Sequence, residues 1–241
     1  MKRIAIFLYG VFSYAVFLVT FLYAIGFIGN FAVPKTMDSP ASGDWLTAVY
    51  VDLCLLSLFA LQHSIMARQG FKKLLTRVIP VAAERSTYVL ASSLALLLLF
   101  WQWRPLGGVI WNLEAMPAQA MLYGAYAFGW LLVFVTTFVI NHFDLFGLRQ
   151  VWRELQGQPQ TKLRFVMPVL YRVVRHPLYV GWLFVFWSTP RMTMTHLLFA
   201  VMTTAYILIA IQFEEADLLR EHPEYARYRE QVPMLVPGLP R

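Results

Sequence analysis

Apolar residues fill four long stretches of the sequence, and short polar segments separate them. A helix of about 20 apolar residues spans the hydrocarbon core of a bilayer, so each stretch predicts one transmembrane helix. The first stretch follows Lys2 and Arg3, but it is longer than a signal-peptide core and no small-residue cleavage site closes it. We predict that it remains as a spanning helix. The four stretches are residues 4 to 29, 45 to 66, 87 to 103 and 119 to 143.

A fifth apolar stretch, residues 178 to 213, is too long for one ordinary span. The tetrapeptide Ser-Thr-Pro-Arg at residues 188 to 191 interrupts it and can turn the chain. We therefore predict a helical hairpin with a short arm, 178 to 189, and a longer return, 192 to 213. The short arm measures only ~18 Å at helical rise, which is not enough to cross a bilayer.

Two further segments are amphipathic. Residues 145 to 152 are amphipathic and basic, which predicts a position at the lipid headgroups. The tail from 212 to 232 is also amphipathic, and Pro223 should divide it into a helix ending near Glu221 and a new one beyond the proline.

The predicted fold class is an all-α integral membrane protein. It has four transmembrane helices, a C-terminal helical hairpin and a cytoplasmic amphipathic tail. We predict a single membrane domain over residues 1 to 241, with a four-helix half at 1 to 144 and a hairpin-and-tail half at 145 to 241.

The composition supports a membrane protein, since 59% of the residues are hydrophobic and only 14% are charged. With a cytoplasmic N-terminus, 17 of the 20 basic residues fall in inside segments, as the positive-inside rule requires. Only Lys35, Arg104 and Arg191 are then outside. The net charge of +7 is therefore explained by topology. We expect the lipid bilayer as a partner, no nucleic acid, and both termini in the cytoplasm.

The aromatic residues Phe100, Trp101 and Trp103 end the third stretch on its outer side, which predicts an interfacial aromatic belt. The single cysteine, Cys54, lies within an apolar helix and excludes both a disulfide framework and a cysteine-built metal site. We expect no metal.

Ionisable and polar side chains collect at the predicted cytoplasmic helix ends. Such groups are costly at a membrane edge and mark pairing or function. Each one alone has a simpler explanation: a single histidine can be a packing residue, and Asn141 or Asp144 a helix cap. Together they predict one site. The candidates are His63, Arg85, Tyr88, Asn141, His142, Arg175, His176, Glu214 and Glu215.

Glu214 and Glu215 are adjacent on one helix, so their side chains point about 100° apart. Only one of them can face a pocket squarely. We predict that one carboxylate binds a cationic group of a ligand, while the other pairs with Arg175 or Arg229.

The C-terminal residues resemble the isoprenylcysteine carboxyl methyltransferase and phospholipid methyltransferase superfamily. The resemblance rests on Arg-His-Pro-Leu-Tyr-Val-Gly at 175 to 181, on the segment 214 to 219 and on the segment 224 to 233. It implies that this part of the chain binds S-adenosylmethionine as methyl donor. The implied cofactor-binding residues are Arg175, His176, Tyr179, Gly181, Glu214, Glu215, Tyr225 and Arg229.

Four further segments resemble the bacterial methanethiol S-methyltransferases, and with them the resemblance covers the chain nearly from end to end. The matching residues are 62 to 68, 84 to 90, 100 to 105 and 141 to 150. The resemblance implies transfer of a methyl group to the small thiol methanethiol, giving dimethyl sulfide and S-adenosylhomocysteine, in the bacterial inner membrane. Residues 1 to 144 would then be the acceptor side, and residues 145 to 241 the cofactor side.

The acceptor thiol must lose a proton, because the thiolate is the nucleophile. His63 or His142 could take it, and His63 is our first choice because it follows an apolar span that a small thiol could reach. Arg85 and Tyr88 could hold the thiolate or orient its sulfur. Asn141 completes the catalytic candidates.

Two other functions stay open at this point. One is a haem-binding membrane protein of the denitrification-factor or carotene-isomerase type, in which His63 would bind iron. The other is a methyltransferase for a lipid or prenyl-cysteine acceptor. The sequence is compatible with a monomer and leaves the oligomeric state open.

Overall fold

The computed structural model describes residues 1–41, 43–160 and 169–238. Ser42, in a predicted outer linker, and Lys162, Arg164 and Arg241, among the predicted inside charges, lie outside these residues. Short 3₁₀ turns occur at Val81–Ala83 and Val169–Arg172. The other elements are α1 (Lys2–Gly29), α2 (Trp45–Ala67), α3 (Gln69–Leu75), α4 (Glu84–Gln102), β1 (Val109–Asn112), α5 (Met116–Ile140), α6 (His142–Leu145), α7 (Leu148–Gln156), α8 (Pro177–Trp187), β2 (Arg191–Thr193), α9 (Met194–Glu221) and α10 (Tyr225–Gln231).

The protein is an all-α integral membrane protein, as predicted. Within the described residues, five helices are long and apolar enough to span a membrane: α1, α2, α4 with its preceding 3₁₀ turn, α5 and α9. The first four are the predicted spans. The fifth, α9, is the longer arm of the predicted hairpin, so the number of spanning helices is one higher than four.

The hairpin forms as the sequence predicts. Pro177 occupies the first turn of α8, where its fixed φ and missing N–H do no harm. This helix has 11 residues and is too short to cross. Thr193 then caps α9 by accepting a hydrogen bond from the backbone N–H of His196 at 3.0 Å. The tail also divides at Pro223, between the end of α9 and the start of α10.

A two-stranded antiparallel ribbon was not predicted. β1 pairs with β2, although the sequence around each strand predicted only a linker and a turn. Gly107 and Gly108 adopt positive φ angles of 71° and 64° and lead into β1. The Trp111 indole then donates a hydrogen bond to the carbonyl of Thr189 at 3.2 Å.

The described residues form two compact units. Unit 1 comprises those within Met1–Gly107 and Asn141–Lys162, and unit 2 those within Gly108–Ile140 and Leu163–Arg241. In unit 1, α4 packs against both α1 and α2, and α7 packs against α1. In unit 2, α5 packs along α8. The functional division at residue 144 stays a prediction.

Helix α7 lies beside the first turns of α1. Val151 sits against Gly10, where an added Cβ would come within 2.5 Å of it, and the Trp152 and Phe7 ring centroids are 5.7 Å apart. The 28 residues of α1 measure ~42 Å, about 12 Å more than a bilayer core. The first turns of α1 can therefore stand among the headgroups with α7 beside them.

The predicted aromatic belt is wrong for two of its three residues. Phe100 and Trp103 are buried, and Phe100 packs on Phe27 with ring centroids 4.6 Å apart. Only Trp101 is exposed, at 70%. Residues 100 and 103 are one helical turn apart and share a face, whereas residue 101 points about 100° away.

Candidate active site

Arg175 ties the entrance of the hairpin to the tail in unit 2. It precedes α8, and its guanidinium Nε donates to Glu215 Oε1 at 2.7 Å. Its Nη1 donates to two tail carbonyls, Arg229 O at 2.9 Å and Val232 O at 2.7 Å. Arg175 and Glu215 are both buried. A buried ion pair is favourable only when further hydrogen bonds accompany it, and those of Arg175 hold the start of the hairpin to the tail.

Glu215 is the inward-facing carboxylate of the glutamate pair. Besides Arg175, it lies 3.0 Å from His176 Nε2 and 3.2 Å from Arg229 Nε. Glu215 thus pairs with both arginines that the sequence offered as partners. We call these four residues the Glu215 cluster: Arg175, His176, Glu215 and Arg229.

Glu214 takes the opposite role and stays accessible. Its side chain is 47% exposed and lies 3.9 Å from His176 Nδ1. The Tyr179 hydroxyl donates to it at 2.9 Å, and the Tyr179 and His176 rings are 5.5 Å apart. Half-exposed Arg229 adds a cation. Accessible charges of both signs and an aromatic surface therefore occur together in unit 2.

Gly181 lies in the contact between α8 and α5. A Cβ there would come within 2.8 Å of Val133 Cγ2 and 3.0 Å of Gly129 O. A Cβ on Gly129 would meet Gly181 O at 2.8 Å. Close backbone approach through small residues is a common way to pack membrane helices, so packing explains this glycine.

Tyr225 belongs to a tyrosine cluster in the tail. Tyr225, Tyr228 and Val232 are buried together, with Tyr171 packed against them. The Tyr228 hydroxyl donates to the carbonyl of Tyr171 at 2.6 Å. Burial raises the pKa of Tyr228 to about 12 and also raises the pKa of Tyr225, so both phenols are neutral at physiological pH. The three-residue spacing of Tyr225 and Tyr228 is a helical signal that could have indicated the cluster.

In unit 1, α2 and α4 bring His63 and Tyr88 into contact. The Tyr88 hydroxyl is 2.8 Å from His63 Nε2 and 3.1 Å from Nδ1. Ser92 Oγ is 3.2 Å from Nδ1, and Phe59 stacks on the imidazole with ring centroids 5.2 Å apart. Each ring nitrogen thus has a hydroxyl beside it. A neutral imidazole uses one nitrogen as donor and the other as acceptor, and this arrangement suits that form.

Sequence reasoning did not identify Ser92 and Phe59. Both lie four residues from a predicted site residue, Ser92 after Tyr88 and Phe59 before His63. Residues four apart share a helical face, so this spacing was the available signal.

Arg85 begins the same face of α4, three residues before Tyr88. Its Nε is buried and has no hydrogen-bond partner among the described residues, and the same holds for Glu84 Oε1. An orphaned buried donor is rare in native proteins and suggests a ligand or water partner. The Arg85 donor is therefore suited to a small anion.

His142 forms a second tyrosine–histidine pair in unit 1. The Tyr14 hydroxyl is 2.8 Å from His142 Nε2, and the Phe146 ring lies 4.7 Å from the imidazole. Burial lowers the pKa of His142, which keeps it neutral. No sequence signal pointed to Tyr14, because it lies 128 residues from His142.

Asn141 separates α5 from α6 with a φ of 129°, a strained conformation for a residue other than glycine. Asp144 accepts hydrogen bonds from Arg149 at 2.9 Å and Gln150 at 2.7 Å. Asp144 thus holds the neighbouring residues at this helix end, a local structural role like the helix cap that the sequence offered.

Asp52 lies toward the other end of α2 from His63, and its described hydrogen bond holds the backbone. It is buried and accepts a hydrogen bond from the backbone N–H of Arg104 at 2.9 Å.

Comparison with known proteins identifies the family. The chain is 56% identical to a methanethiol S-methyltransferase of Crocosphaera subtropica over 98% of this chain and 93% of the relative. It is 51% identical to a methanethiol S-methyltransferase of Mycobacterium tuberculosis over 98% of both chains. The chain belongs to the methanethiol S-methyltransferase family. The resemblance seen in the sequence is thus confirmed.

A more distant relative of this methyltransferase is mouse nurim, which is 32% identical over 204 residues, 77% of each chain. No family model matches the chain, and no solved structure matches it. Within the described part of the chain, no group of three or more His, Cys, Asp or Glu residues is placed to hold a metal ion. The expectation that no metal takes part stays a prediction.

Proposed function

We propose that this methyltransferase moves the methyl group of S-adenosylmethionine to methanethiol, giving dimethyl sulfide and S-adenosylhomocysteine. The observation that carries the proposal is 51 to 56% identity to methanethiol S-methyltransferases over 98% of the chain. The donor, when bound, supplies an electrophilic methyl group on a sulfonium. The protein binds and orients the donor and the thiol, and it deprotonates the thiol.

Unit 2 holds the donor in this proposal. The amino-acid end of the donor carries an ammonium and a carboxylate, which match Glu214 and Arg229 in charge. The partly buried ring of Tyr179 offers an apolar surface with a polar edge for the adenine, and the buried His176 ring lies 5.5 Å behind it. Arg175 and Glu215 already satisfy each other, so they act as positioning residues. Tyr225 and Gly181 support the tail and α8 without touching the donor.

Unit 1 prepares the thiol. His63 lies beside Tyr88 in an apolar span, and its neutral imidazole has a ring nitrogen that can accept a proton. The Tyr88 hydroxyl passes its proton to His63 Nε2 and takes the proton of the thiol. The products of this step are a thiolate and an imidazolium. The buried Nε of Arg85 holds the thiolate charge, and His63 returns its proton to solvent after methyl transfer.

His142 and Asn141 support this site in our proposal. The Tyr14 partner and the neutral imidazole fix the chain where α5 ends and α6 begins. His63 therefore remains the base, and His142 a positioning residue.

We further propose that the protein lies in the bacterial inner membrane with both termini in the cytoplasm. The placement of 17 of the 20 basic residues in inside segments supports this orientation. Glycosylation or cysteine-accessibility mapping of the two termini in intact cells tests it.

A purified-protein assay tests the function. The enzyme is offered S-adenosylmethionine with methanethiol, a longer alkyl thiol, hydrogen sulfide or a lipid acceptor, and dimethyl sulfide and S-adenosylhomocysteine are measured. We expect turnover with methanethiol. Turnover of the lipid acceptor alone would overturn the small-thiol proposal, and a Soret band with no turnover would favour the haem-binding alternative.

A further inference from the structure

The connection between α2 and α4 is strongly basic. Between Asp52 and Glu84 the sequence has no acidic residue. This span nevertheless contains four cationic residues within ten positions, Arg68, Lys72, Lys73 and Arg77. A run with one sign of charge either faces solvent or meets a surface of the opposite sign.

The charges are accompanied by an exposed apolar row. Leu74, Val78 and Val81 are 58%, 85% and 64% exposed, and helix α3 has no buried residue. Lys73 and Arg77 are also exposed, and each immediately precedes a member of the apolar row. Exposed apolar and exposed cationic side chains therefore occur next to each other along this segment, and a segment that combines the two is suited to a membrane interface.

The position of the segment selects the bilayer as its partner. Helix α3 starts directly after α2, with Arg68 as the residue between them. The 23 residues of α2 measure ~35 Å, slightly more than the ~30 Å core, so α2 ends at the boundary of the hydrocarbon. The Arg68 guanidinium turns back to the Ser64 carbonyl at 3.3 Å. The exposed rows of the next residues are thus at the depth of the headgroups.

We propose that residues 68 to 81, the interfacial segment, bind the anionic phospholipids of the bilayer that the protein spans. Leu74, Val78 and Val81 enter the boundary of the acyl chains, while Lys73 and Arg77 contact lipid phosphates. A zwitterionic phosphatidylcholine provides the same apolar boundary but no net negative charge. The segment therefore distinguishes phosphatidylglycerol from phosphatidylcholine by charge.

Lipid titration of the detergent-purified full chain tests this inference. Short-chain phosphatidylglycerol is added in one series and short-chain phosphatidylcholine in another, and the thermal unfolding midpoint is recorded. We expect a larger rise with phosphatidylglycerol, which 0.5 M salt reduces. Inorganic phosphate at the same concentration should give no rise, because it lacks the apolar part.

Two variants decide which residues are responsible. In the double variant Lys73→Gln and Arg77→Gln, the phosphatidylglycerol concentration for half of the rise should increase on the order of tenfold. Arg191→Gln removes an exposed cation of β2 in unit 2 and should leave it unchanged. An unchanged response in the double variant, or equal responses to the two lipids in the wild type, would overturn the proposal. If a variant changes the unfolding midpoint without lipid, native mass spectrometry of the phosphatidylglycerol retained by each protein makes the same comparison.

Discussion

The Glu215 cluster of unit 2 and the His63 pair of unit 1 handle polar groups in opposite ways. Glu215 meets two guanidinium groups and an imidazole at 2.7 to 3.2 Å. In the hydrogen bonds described, the polar partners of His63 are neutral hydroxyls. The guanidinium Nε of Arg85, three residues before Tyr88 on α4, has no partner among the described residues. A satisfied charge network resists change, whereas a neutral pair and an unused donor one helical turn along α4 can accept a proton and an anion. The first arrangement is suited to holding, and the second to reacting.

The largest effect should come from breaking the Glu215 cluster. Glu215→Ala leaves the buried Arg175 without its carboxylate, and breaking a buried pair costs about 3–5 kcal/mol. We expect a marked drop of the unfolding midpoint in detergent. Glu214→Ala, on the adjacent exposed carboxylate, should reduce donor affinity and leave stability nearly unchanged. Equal destabilisation by both changes would show that burial does not separate the two glutamates.

Next in size is the loss of the proposed base. His63→Ala should lower kcat by about 10²-fold or more, the usual contribution of a general base, with nearly unchanged donor binding by calorimetry. His142→Ala is the matched comparison, and it should lower stability more than kcat. If His142→Ala instead lost turnover at full stability while His63→Ala kept it, the roles of the two histidines would be reversed.

A smaller effect is expected from Ser92, which holds His63 Nδ1. Ser92→Ala should lower kcat about fivefold, since one neutral hydrogen bond contributes about 1 kcal/mol, and it should shift the pH dependence of kcat. Ser92→Thr retains the hydroxyl and should restore both. Ser93 bonds only the Val89 carbonyl in the hydrogen bonds described, at 2.8 Å, so Ser93→Ala is the control. If the pH dependence of kcat is the same in Ser92→Ala as in the wild type, Ser92 has a packing role and does not tune His63.

The smallest effect concerns the tail. The pKa of Tyr228 is raised by burial to about 12, against an ordinary value near 10. Below about pH 10 the phenol is neutral in both states, and its contribution to stability is complete. From there to about pH 12 the unfolded chain loses the proton first, so stability should fall. Thermal unfolding against pH measures this, and Tyr228→Phe should flatten the slope.

The sequence predicted those features that depend on neighbours along the chain. Pro177 and the Ser-Thr-Pro-Arg turn predicted the hairpin because they act locally on the backbone. The 100° angle between helix neighbours predicted that one glutamate faces inward, but not that it is Glu215. That choice depends on Arg175 and Arg229, which approach through the fold.

The sequence predicted one contact between distant residues, the pairing of a glutamate with Arg175 or Arg229, but not the others. Arg175 bonds carbonyls 54 and 57 residues away, and any backbone carbonyl is chemically equal to another before folding. Tyr14 and His142 are likewise joined only by the packed structure. The sequence did not predict the pairing of β1 with β2, because each strand is three or four residues long, too short for an alternating pattern.

The backbones of α5 and α8 approach closely at Gly129 and Gly181. Substitutions there could change the separation of the two helices without altering any charge. Helix α8 has no side chain at this point to yield, so any added volume must move the whole helix. Arg175 and His176 precede α8 directly and would move with it. A graded series at position 181, from glycine through alanine to serine, would therefore increase the separation of α8 from α5 in steps beside the residues that we propose for the donor site. We expect donor affinity to change with each methyl-scale step in helix separation.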